Sequence, residues 1–140
     1  MNRYAGKQGS FGLQLAEFAE QAKEAVDASL REVVIELGNS LIRMSPVDTG
    51  RFRGNWQFSI DAPAGGTLAD LDPTGTETSA RLAGDSILFK AGETAYIVNN
   101  LPYAIPLEYG HSDQAPGGMV RLTLARFQQI VEDAIRNHKV

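Results

Sequence analysis

The spacing of apolar residues from Leu15 to Met44 constrains this chain more than any other feature. Leu15, Phe18, Ala22, Val26, Leu30, Val33, Leu37, Leu41 and Met44 recur at steps of three and four, which aligns them on one face of an α-helix. The stripe from Leu15 to Met44, in a helix that runs from Ser10 to Ser45-Pro46, spans about 30 residues and, at ~1.5 Å per residue, is roughly 45 Å long. That exceeds the core of a domain made from 140 residues, so part of it overhangs or packs on another subunit. A break at Gly38-Asn39-Ser40, giving two ordinary helices, is the alternative. Glu17, Glu20, Lys23, Glu24, Asp27, Arg31, Glu32 and Glu36 fall mostly off the stripe and read as a solvated face.

Pro46 stops the helix, because proline restricts the residue before it and lacks the N–H a helical ladder needs. Val47 to Gly50 form a turn in which Asp48 and Thr49 satisfy backbone groups and Gly50 accepts positive φ. The period then changes to two. Phe52, Gly54, Trp56, Phe58 and Ile60 alternate with Arg51, Arg53, Asn55, Gln57 and Ser59, predicting a strand with an aromatic inner face and both arginines outside.

Residues 61–76 are rich in Gly, Pro, Asp and Thr without a period, which predicts a mobile hairpin connection or flap. Asp70, Asp72 and Gly75 echo a calcium loop, but its twelfth position is Arg81 rather than Glu. Between Glu77 and Lys90, Ala80, Ala83, Ile87 and Leu88 give a weak helical face. Glu93 to Asn99 predicts a second strand, ending where asparagine tolerates left-handed geometry. The irregular stretch Val98 to Met119 follows, and Val120, Leu124, Phe127, Val131 and Ile135 then restore helical spacing. The fold expected is α+β: a long N-terminal and a C-terminal helix on a small, mostly antiparallel sheet, with a shorter middle helix. Residues 1–9 are expected to be a flexible N-terminus, and 10–140 a single domain.

Chemistry is scarce. The chain has no cysteine and two histidines, which excludes a thiol nucleophile and a cysteine-based metal site. His111, Ser112 and Asp113 are consecutive, so their side chains diverge and do not line up as nucleophile, base and orienting acid. Glu108 reads as a cap or ion-pair partner, His138 as solvated at a helix end, and Glu132 as a surface partner of Arg136. GKQGSFG lacks the order of a phosphate loop. A net charge of −4 disfavours a protein that coats nucleic acid, though a local basic stripe remains compatible with it. No run reaches the roughly 18 apolar residues of a membrane span, and no leader-like apolar core follows the first residues.

SPVDTGRFRGNW (Ser45 to Trp56), then YIVNNLPYAIPLEYGHSDQAPGGMVR (Tyr96 to Arg121) and a closing amphipathic helix, resemble the tail-completion or neck proteins of long-tailed bacteriophages, the family of minor tail protein Z and its head–tail joining relatives. The matching positions are Pro46, Asp48, Thr49, Gly50 and Arg51 in the first motif. In the second they are Asn99, Tyr103, Ala104, Glu108 and Gly110, with Tyr109 beside them. The resemblance implies a non-enzymatic virion component without cofactor or metal. It would assemble in the host cytoplasm as a ring, commonly six-fold, at the head-proximal end of the tail. Its partners would be other copies of itself, the tail terminator or tail tube protein, and the head connector or head-closure protein. A second reading is a gasket around genome DNA, with Arg51, Arg53, Arg121 and Arg126 facing the phosphates. Tyr103 and Leu107 are expected to be buried, and 108–114 to lie at a contact between subunits.

Overall fold

The computed structural model describes residues 7–139, and it is α+β, as expected. Helix α1 (Lys7–Met44) has 38 residues, about 57 Å of helix. Residues 7–9, read from sequence as flexible, are its first turn; 1–6 lie outside the described residues. α1 does not break at Gly38. A Cβ there would overlap the Leu82 side chain, so the glycine costs the helix about 1 kcal/mol of propensity and in return admits a neighbouring helix. Val34, Leu41 and Ile42 enter the core, whereas positions 11–21 are all exposed. The expected overhang is therefore the N-terminal half.

The end of α1 is satisfied from outside. The Ser45 hydroxyl donates to Leu41 O at 2.6 Å and accepts from Trp56 Nε1 at 2.7 Å. Arg53 donates through Nη2 to the carbonyls of Arg43 and Ser45 and through Nη1 to Pro73 O. The last helical carbonyls lack intrahelical donors and favour a cation, and one guanidinium meets both needs.

That role corrects the expected strand from Arg51 to Ile60. Residues 49–52 turn, Arg53–Asn55 form a 3-10 turn, Trp56 is extended, and only Gln57–Ile60 pairs as a strand, β1. Local bonds outcompete the ladder. Gly50 O accepts from the N–H groups of Gly54 and Asp72. Buried Asn55 donates to Arg51 O and Leu68 O and accepts from Leu68 N. Phe52 and Trp56 still reach the core, edge to face at 5.9 Å.

β1 pairs antiparallel with β2 (Ala95–Val98), Gln57 opposite Val98 and Ile60 opposite Ala95. The intervening loop is fastened rather than free: besides Leu68 and Pro73, Ala64 O and Gly66 O accept from Asn100 Nδ2. Asp72 is buried and caps α2 (Thr76–Asp85), accepting from Gly75 N, Thr78 N and Thr78 Oγ1. The calcium-like acid is thus a helix cap. Burial pushes its carboxyl up, but the Thr78 and Gly75 bonds and the Arg81 charge outweigh that and hold it below its usual value. α2 buries Thr78 and Leu82, with Ser86 beyond, rather than the expected alanine face; Ile87 and Leu88 are exposed in the 3-10 turn Ser86–Leu88.

The C-terminal helix is two helices, α4 (Val120–Ala125) and α5 (Phe127–Asn137), parted at Arg126. The face that packs is also not the one expected. Thr123, Ile130 and Ala134 are buried, while Leu124, Phe127 and Ile135 point outward. α1 presents Ser40 to this element, and its hydroxyl bonds Thr123 Oγ1 at 2.7 Å, so small and polar residues make the seam. His138, expected in solvent, pairs with Glu32 at 2.9 Å. Arg136 pairs with Asp133, not Glu132. Asp27 is buried and accepts from Ala91 N at 2.9 Å.

Ser45→Ala removes the acceptor of the buried Trp56 N–H, and a loss of about 1–3 kcal/mol follows. A lowered denaturation midpoint with unchanged slope is the expected result.

Candidate functional site

The two sequence motifs, some fifty positions apart, face each other across one shallow cleft of about 330 Å³. One wall is the turn after α1, with Pro46, Val47, Asp48, Thr49, Gly50 and Arg51; the other carries Tyr103, Leu107, Ser112 and Gln114, and Phe52 lies between. Gly50 has φ +92°, and a Cβ on it would lie 2.5 Å from Pro73 N, so the turn requires glycine. Thr49 Oγ1 accepts from Arg51 N, the local bond expected of this turn.

Three contacts join the walls. Asn99 Nδ2 donates to Phe52 O at 2.9 Å. The Gln114 amide bonds both the N–H and the C=O of Val47, at 2.9 and 3.0 Å. Tyr103 stacks tilted beside Phe52 at 5.9 Å. Gln114 was not expected to matter. A primary amide that donates and accepts at one residue mimics a strand pair, but nothing in the sequence names its partner. Tyr103 is 41% exposed, contrary to expectation, because only its Phe52 side is covered; Leu107 is half-buried.

Behind this wall, helix α3 (Ala104–Glu108) delivers Glu108 to the start of α4. Its carboxylate accepts from the N–H groups of Met119 and Val120, each at 2.8 Å, from Arg121 N at 3.0 Å and from Arg121 Nε at 3.1 Å. Arg121 also donates to Glu108 O and lies 5.1 Å over the Tyr109 ring. Burial raises the Glu108 carboxyl, yet these hydrogen bonds together hold it below its ordinary value. Glu108 is a cap, as the sequence indicated, built into a clasp with Arg121 and Tyr109. Gly110, at φ +86°, ends α3 and turns the chain toward His111.

The four arginines do not form one cluster of free cations. Arg53 holds three carbonyls, Arg121 holds Glu108, Arg126 donates to Ser40 Oγ at 3.3 Å, and Arg51 Nε donates to Leu68 O at 3.3 Å. His111 is exposed, and Ser112 Oγ accepts from Gln114 N. Among the described residues, no group of three or more His, Cys, Asp or Glu is placed to hold a metal ion, and no helix is long and apolar enough to cross a membrane. Comparisons with models of protein families, with curated proteins and with solved structures find no match to this chain.

A group whose folded pKa is depressed stabilises the fold above its unfolded pKa, near ~4.3 for Glu, and that contribution is lost as pH falls through the folded value. Glu108→Ala should lower stability at pH 7 by about 1–3 kcal/mol and flatten its decline between neutral and acid pH. Urea unfolding across that range measures both.

Proposed function

We propose that the chain is a structural protein of a long-tailed phage particle, completing the head-proximal end of the tail and joining it to the head as part of a homo-oligomeric ring. The observation that supports this is the convergence of its two motifs. Asp48 to Arg51 line one cleft with Tyr103 of the second motif, and two further positions of that motif support it: Asn99 bonds Phe52 O, and Glu108 clasps the start of α4 behind it. Around it they leave Asp48, Thr49, Tyr103 and Tyr109 exposed, with Tyr109 at 66%. Exposed tyrosines on a rigid, hydrogen-bonded frame suit recognition of a protein surface, since they bury large area with little loss of side-chain freedom. In this reading 108–114 contacts the neighbouring subunit, and the outer faces of the ring meet the tail terminator or tube protein and the head connector.

The gasket reading has less support. Arg53, Arg121 and Arg126 are each bonded within the fold, and the net charge is −4. We expect no salt-dependent binding to duplex DNA even at low ionic strength, as read by fluorescence anisotropy.

Deleting the gene from its phage should yield filled heads and finished tails that remain separate in electron micrographs. Normally joined particles from the deletion would contradict the role.

A further inference from the structure

The apolar stripe that opens the sequence is only half covered. Phe11, Leu15 and Phe18 are 53–62% exposed on the overhang, and the same face of α1 runs on through Ala22, Val26 and Val33. Along that second half, α5 lies beside it with Phe127, Val131 and Ile135 turned outward, and the two helices form an apolar groove of about 640 Å³. Overhang and groove are therefore two ends of one continuous face, roughly 33 Å from Phe11 to Val33. An uncovered apolar surface of this length marks an interaction site.

We propose that its occupant is a second copy of this chain, with the two α1 helices packed antiparallel about a two-fold axis at Ala22. Ala22 is the midpoint between Phe11 and Val33. Antiparallel apposition there sets Phe11 against Val33 and Phe18 against Val26 in both directions, so each overhang fills the other copy's groove in a single contact. Ala19, Ala22 and Ala25 lie at the crossing, where small side chains let two helices approach closely.

The charges permit it. The stripe is bordered mainly by Gly12, Gln14, Ala19 and Gln21, while Glu20 and Glu24 lie on the opposite side of the helix, and the groove's own polar lining is Ser29 with Lys139 and His138, the last held by Glu32, so two copies of an acidic chain meet without opposing carboxylates. Lys23 falls beside Gln21 of the second copy. The exposed apolar side chains of overhang and groove present on the order of 600 Å² per copy, about 1,200 Å² for two, which reaches the lower bound for a stable specific interface. The contact is isologous and closes at two copies. It deepens the self-association in the reading above but is distinct from the head-to-tail contact a ring requires, and it rests on the stripe alone.

The chain's lack of cysteine makes the test direct. In otherwise unchanged protein, Ala22→Cys should form a disulfide-linked dimer under mild oxidation, because a two-fold axis brings the residue against itself. Leu13→Cys, exposed but on the opposite side of α1, should remain at least tenfold less cross-linked. By sedimentation, wild type should be a dimer at tens of micromolar, and Phe18→Glu should weaken it at least a hundredfold with helical content unchanged, since Phe18 touches no core. Wild type that stays monomeric at ~100 µM overturns the proposal. So does equal cross-linking of the two cysteine variants, and so does a mixture of Phe11→Cys and Ala22→Cys linking to each other while Ala22→Cys alone does not, which marks a parallel stagger. Any of these leaves the gene-deletion result untouched.

Discussion

The guanidinium of Arg53 is the interaction on which the arrangement depends. It meets the last carbonyls of α1, the turn that follows and the loop at Pro73 at once. A helix end with unsatisfied carbonyls would have to stay in water. Capped from outside, it can be buried, and the chain can reverse sharply enough to place Phe52 and Trp56 against Leu41 and Ile42. Ser45 supports the same point through Trp56, and Asn55 and Asp72 extend the network into the loop. The β1–β2 pair, only four residues long in each strand, is too short to hold the fold alone; it is held against α1 and α2 by this network and by Phe58 packing on Phe89 at 6.2 Å.

From that fixed frame follows the cleft. The second motif enters through Asn99, which reads the Phe52 carbonyl, and is closed through Gln114 on Val47. Glu108 then fixes the start of α4, so the irregular stretch between β2 and α4 is a rigid clasp rather than a flexible connection. The side chains of Asn99, Glu108 and Gln114 are taken up in holding the backbone, which fixes the shape of the surface around them.

Much of this was legible in the residues. Period three-to-four gave α1, although its stripe is covered only toward the C-terminal end and Val34 and Ile42 beside it are buried, and the alternation Ala95 to Val98 gave β2, whose four residues are all half-buried. The segment from Arg51 to Trp56 misled because a two-residue period and an i, i+4 aromatic pair are compatible with the same letters, and side-chain amide bonds from Asn55 decided between them. The C-terminal face misled for another reason: its apolar residues are real but point away from the chain's own core, and the seam is formed by Thr123 and Ala134 against α1. Periodicity shows that a face is apolar; it does not name what covers it. Gln114 acquires its role only through a long-range contact with Val47 that no local pattern encodes, whereas Asp72 caps α2 through Gly75 and Thr78, three and six positions on, where the sequence suggested a calcium loop instead. The convergence of the two motifs was not legible, since positions 46–51 and 99–110 share no spacing rule and the resemblance names the motifs without placing one against the other.

The central claim is that both motifs belong to one cooperative unit hung from the end of α1. Native-state amide hydrogen exchange in Arg53→Ala tests it most directly. The amides of Gly54, Leu68 and Asp72, and also those of Leu101 and His111 on the opposite wall, should lose protection together and by a similar factor relative to wild type. Loss confined to Gly54, Leu68 and Asp72, with Leu101 and His111 as protected as before, would contradict the claim and make the two walls of the cleft independent.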